Sequence, residues 1–147
     1  MPDITFKLEQ VLSYRSEMEK LRKQEFAVAK RGFEVANDEL LREERSVEEL
    51  TLEFSRQQQK VDCIDDIRLY ADFFARKREE LKYHKEEVEQ LNMTMNERRA
   101  DLMEASKDKQ VLESLKEKKK REALQELRLK ERNFLDEISV QKKVDSQ

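Results

Sequence analysis

The stretch QQQKVDCIDDIRLYADFF, Gln57 to Phe74, decides how this chain folds. On either side of it, apolar residues fall on the alternating three-four spacing of a coiled-coil seam. Upstream the row is Phe33, Ala36, Leu40, Val47, Leu50 and Phe54; downstream it is Ile67, Tyr70, Phe74, Leu81, Val88, Leu91 and Met95. Each row needs a partner to bury against, and a reversal inside this stretch supplies one to both. The turn chemistry is sparse. Gln57, Gln58 and Gln59 lie off the seam, and neither Gly nor Pro marks the reversal. Asp62 and Asp65 resemble a helix N-terminus, where carboxylates accept orphan amides and meet the positive end of the dipole. The rival architecture is one long unbroken helix that dimerises.

Composition bounds both readings. The chain has 147 residues, 44% of them charged, with one Gly, one Pro and a net charge of −3. Ordinary domains carry roughly 25% charged residues, so the core must be narrow. High charge with low hydropathy also marks disordered chains, but sustained seams among Leu, Glu, Lys and Arg argue for helices. A nucleic-acid binder would carry a basic surplus to neutralise phosphates; none exists here. The lone Cys63 cannot form an intramolecular disulfide and fits a reducing cytoplasm. The longest apolar run is Phe26 to Ala29, too short for a membrane span or a signal core, so membrane association is expected only peripherally, through partners. One His and no Trp leave a thin inventory for catalysis or metal binding. The expectation is no enzyme, no cofactor and no metal.

The expected fold is all-α: a long antiparallel two-helix coiled-coil hairpin with a C-terminal helical overhang. It is a single unit over residues 1–147, and a monomer in isolation. Arm one runs over about 6–58, with Met1 to Thr5 loose and Asp3 or Thr5 as cap. The turn covers about 59–64, and arm two about 65–140 with the overhang from about 116. Arm one is on the order of 75–80 Å long. The expected register sets Phe54 opposite Tyr70, Leu50 opposite Phe74, Glu43 opposite Leu81, Leu40 opposite His84 and Ala36 opposite Val88. Further out, Arg98 meets Glu25 and Lys109 meets Tyr14, while the ammonium groups of Lys77 and Lys109 reach outward past the seam.

Arm one opens with a separate row, Leu8, Val11, Tyr14, Met18 and Leu21, out of phase with the row from Phe33. Gly32 sits near the slip. Either a local irregularity absorbs the extra residue, or the glycine makes room for a facing side chain. Past Leu115 the partner row has run out. Lys116 to Arg121 holds five basic residues in six, and Leu124, Leu127, Phe134 and Ile138 then form a stripe with Leu135 at its flank. That stripe must stay exposed, fray or meet another protein. The basic run reads as a solvated face or an electrostatic contact to an acidic protein, ahead of anionic lipid or RNA.

Two other positions carry alternatives. His84 is either a recognition residue or a half-buried seam residue beside Leu40. Phe73 points off the seam: it covers the end of the hairpin or anchors a partner.

The opening Phe6-Lys7-Leu8-Glu9-Gln10-Val11-Leu12, with Arg15, Glu19, Ala27 and Ala29, resembles the start of the flagellar FliJ proteins. Tyr70, Phe73 and Phe74, and later Leu112 to Lys118, Glu131, Asp136 and Glu137, extend the likeness over nearly the whole length. The resemblance implies a coiled-coil hairpin similar to the central stalk of rotary ATPases, working in flagellar type III export. Such a stalk sits in the hexameric export ATPase, contacts the cytoplasmic domain of the membrane export gate and escorts substrate chaperones. The overhang, with Lys118, Lys119, Lys120, Leu124, Leu127, Phe134 and Ile138, would enter the ATPase. By position, Phe73 and His84 match the gate-binding pattern on arm two, whereas Lys77 and Glu80 stand where the pattern has small or apolar residues. On arm one the contact positions hold Glu39, Glu43, Ser46 and Leu50, of which Leu50 alone is apolar. The alternatives are a stalk of a non-flagellar type III system and a generic coiled-coil scaffold.

Overall fold

The computed structural model describes the backbone of residues 2–58 and 63–145, and the side chains of those from Lys7 onward. The described residues form two α-helices, α1 (Pro2–Gln57) and α2 (Ile64–Asp145), packed against each other as a helical hairpin, with no strand among them. Helix-forming residues fill both, and the only proline stands at the first helical position, where its missing N–H costs nothing. Asp3 and Thr5 therefore lie inside α1 rather than capping it. The Gln58 amide closes α1 on the Phe54 carbonyl at 2.8 Å. The Cys63 carbonyl opens α2 by accepting the Ile67 amide at 3.3 Å. Asp65 and Asp66 occupy the first turn of α2 and Lys142 and Lys143 the last, each the sign the dipole favours. Asp62 and most of the expected turn lie outside the described residues.

The chain forms two compact units, one of Met1–Glu19 with Glu104–Gln147, the other of Lys20–Met103. In the second, α1 turns Phe26, Ala29, Phe33, Ala36, Leu40, Glu43, Val47 and Phe54 inward, and α2 answers with Phe74, Lys77, Leu81, His84, Val88, Leu91, Met95 and Leu102. Leu40, Val88 and Met95 are its buried residues, at 7%, 9% and 8% exposure. A core this thin is what two helices alone can shield, since every seam residue keeps one flank to solvent.

Cross-helix contacts place the register. Phe54 meets both Tyr70 (centroids 4.6 Å apart) and Phe74 (5.8 Å). His84 Nδ1 donates to Glu43 Oε2 at 2.5 Å, and the Arg99 guanidinium lies 5.4 Å above the Phe26 ring. Glu43 thus faces His84, where Leu81 was expected. The expected pairing of Phe54 with Tyr70 holds, while Glu43 takes the residue three positions beyond its expected partner on α2. Arg98 and Glu25 do not meet: Arg98 reaches Asp101 at 3.7 Å and Glu25 accepts from Arg22 at 2.9 Å.

In the other unit the inward row is Leu8, Leu12, Arg15 and Glu19 on α1, against Ala105, Lys109, Leu112 and Lys116 on α2. It is joined by ions. Arg15 reaches Asp108 at 3.4 Å, Lys109 reaches Glu19 at 3.5 Å, and Lys116 reaches Glu9 at 3.0 Å. Lys109 faces Glu19, not Tyr14, and bonds across the seam instead of reaching past it.

The three-four spacing from Leu8 to Phe54 therefore runs unbroken, with no slip. Val11, Tyr14 and Leu21, expected in the seam, lie on an exposed face of α1, as does Val28 at 74% exposure. Gly32 is exposed and helical, and a Cβ there would meet nothing within 4 Å. Neither the local irregularity nor the making of room holds.

Candidate partner-binding surfaces

Near the start of α2, aromatic side chains gather because Tyr70, Phe73 and Phe74 lie within one helical turn and Phe54 packs onto them from α1. Phe73 is half-buried, its ring edge-on to Phe74 at 5.7 Å, with the Lys77 ammonium 5.9 Å from its centroid. Lys77 also bonds Glu80 at 3.2 Å. Open grooves flank this cluster. One is lined by Leu50, Asp66, Leu69, Tyr70 and Phe73. The other has Glu53, Phe54, Gln57 and Phe74 beside three of the same residues. Phe73 therefore does two things at once: it covers the aromatic end of the unit and walls a groove open to solvent.

Of the residues marked for gate contact, Leu50 and Phe73 come together in this groove. His84 does not. It lies eleven residues further along α2, about 16 Å by helical rise, and its ring nitrogen is engaged by Glu43. Glu39 and Ser46 on α1 are exposed, while Glu43 is half-buried and occupied. Leu69, 65% exposed, and Asp66 were not marked in the sequence, although both line the groove. The signal was there: Leu69 stands four residues before Phe73, on the same helix face.

The second surface is the far part of α2. From Glu117 to Asp145 every described residue is exposed except the half-buried Ile138. Leu124, Leu127 and Phe134 stand 51%, 56% and 62% open, and Lys118, Lys119 and Lys120 are exposed just before them. Here the helix keeps its three-four stripe with no second helix beside it.

Among the described residues no three His, Cys, Asp or Glu side chains gather to hold a metal, and none of their helices is long and apolar enough to cross a membrane. What the molecule offers is contact area: an aromatic groove on one unit and an unpaired amphipathic helix on the other. The fold is that of a helical hairpin with two exposed apolar surfaces.

The sequence pattern of the family described as flagellar FliJ protein matches residues 5–146, nearly the whole chain. The chain belongs to the FliJ family, and with it to the components of flagellar protein export. No curated protein and no solved structure matches it.

Proposed function

We infer that the chain is the stalk of the flagellar export apparatus, joining the export ATPase to the membrane export gate. The observation that carries this reading is the overhang: an exposed apolar stripe on a helix without a second helix beside it, preceded by a basic run. Such a stripe gains about 25 cal/mol for each Å² removed from water, so a partner that covers it is held mainly by apolar burial. Lys118, Lys119 and Lys120 add attraction to an acidic surface and speed encounter. The ATPase hexamer is the partner assigned to it. Leu50 and Phe73 form the gate contact, with His84 as a secondary position outside the groove. Escort of substrate chaperones is a further part of this role. The chain works in the bacterial cytoplasm, against the membrane only through its partners, without cofactor or chemistry of its own.

Truncation after Lys116 tests the assignment, since it keeps the Lys116–Glu9 pair and removes the stripe. The truncated chain should fold and still bind the gate's cytoplasmic domain, yet fail to bring down the export ATPase. ATPase capture undiminished by the truncation would refute the ATPase assignment. Phe73→Ala should cut gate binding roughly tenfold or more, as an aromatic hot spot does, with His84→Ala doing less.

A further inference from the structure

One face of the unit formed by Met1–Glu19 and Glu104–Gln147 has an apolar middle that the functions above leave unused; only Lys118, at its end, is shared with the proposed ATPase contact. Its middle is apolar: Val11 and Tyr14 come from α1, Val111 and Leu115 from α2. All four are exposed, Tyr14 at 58% and Val111 at 67%. On α1 they stand one position outside the inward row of Leu12 and Arg15, and on α2 one position outside Leu112 and Lys116. Two helices in antiparallel contact bring such flanking positions onto the same side.

Charge brackets the apolar middle, and its signs are ordered. Lys118, and Lys7 on the neighbouring helix, are exposed at one end; Glu104 is exposed at the other. Glu104, Val111 and Lys118 are spaced seven residues apart, so they share one line along α2 with Val111 at its centre. A pattern of plus, apolar, minus is complementary to itself when reversed.

We propose that this face pairs with the same face of a second copy of the chain, antiparallel, about a two-fold axis passing at Val111. Lys118 of each copy then meets Glu104 of the other, Val111 meets its own twin, and Tyr14 packs against Tyr14. An isologous contact of this kind closes on itself, so assembly stops at two. Four exposed apolar side chains are far fewer than the roughly 20–30 residues a side of a stable interface. The dimer is therefore weak, with a dissociation constant on the order of 100 μM. Dilute chain is then a monomer, its intrachain seam unchanged by the pairing. Crowding at a shared assembly site is where the pairing matters.

Sedimentation velocity from ~10 μM to ~500 μM at low salt reads the equilibrium. Lys118→Glu and Glu104→Lys should each raise the dissociation constant by about tenfold, because each sets like charges together twice. The chain carrying both substitutions should recover, since the exchanged charges again face their opposites across the two-fold axis. In a Cys63→Ser background, Val111→Cys should form disulfide-linked dimers readily, and Val28→Cys, though more exposed, should not. A monomer at every concentration, a double swap no better than the single ones, or equal crosslinking at 28 and 111 each overturns the proposal. ATPase and gate binding are measured separately and decide nothing here.

Discussion

The two units solve the same packing problem with different materials. In the unit of Lys20–Met103 the seam is closed mainly by hydrocarbon, with Leu40, Val88 and Met95 buried and Phe54, Tyr70 and Phe74 ring to ring, beside the cross-helix pairs His84–Glu43 and Lys85–Glu44. In the unit of Met1–Glu19 and Glu104–Gln147 three interhelical ion pairs take over, and none of the described residues is buried. Two partly solvated charges at 3.5 Å return about 1 kcal/mol or less once desolvation and ordering are deducted, whereas a buried Leu contributes roughly 1.5–3 kcal/mol. One seam holds chiefly by exclusion of water. The other relies more on pairing, which costs less stability to leave and specifies more narrowly what can lie opposite.

The largest break in this contrast should come from Leu40→Ala. Removing a buried Leu should cost about 2–4 kcal/mol, visible as a large drop in melting temperature. Leu12→Ala, at a half-buried position of the other unit, should cost no more than about half as much. Equal losses would mean that the two seams do not differ in kind.

Next in size is Lys109→Ala. It strips the cross-seam partner from Glu19, whose side chain is only 13% exposed, and leaves that carboxylate less well compensated. The expected cost is about 1–3 kcal/mol, read as faster amide hydrogen exchange at 105–116 with little change at 81–95. Acceleration of both segments to the same degree would show one cooperative unit instead of two.

Gly32→Ala sharpens the comparison from the other direction. An exposed helical glycine with open space around its Cβ position should give back about 0.5–1 kcal/mol when replaced by alanine. A destabilised variant would contradict the unbroken helix seen at this position.

Smallest is the salt effect. Raising ionic strength from about 0.05 M to about 1 M should loosen the ion-paired seam by a few tenths of a kcal/mol per pair. Exchange at 105–116 should quicken, while the apolar seam holds or tightens slightly. Salt-insensitive exchange at 105–116 would mean the pairs contribute nothing there.

Much of the fold was legible in the residues. The α2 row from Tyr70 to Leu112 is dense enough in apolar side chains that only one helix face fits it, and its end before the basic run announced the overhang. The aromatic cluster was legible too, because Tyr70, Phe73 and Phe74 fall within a single turn. Which face of the first half of α1 turns inward was not. That segment carries two rows of like spacing on adjacent faces, and the outer one, with Val11, Tyr14 and Leu21, is the more hydrophobic. Arg15 and Glu19 win the seam because Asp108 and Lys109 stand opposite them, and counter-charges on a second helix enter no periodicity computed along the first. The register was undecided for the same reason. Two rows of one period fit together at several offsets, and only the contacts across the seam, Glu43 with His84 and Phe54 with both Tyr70 and Phe74, choose among them.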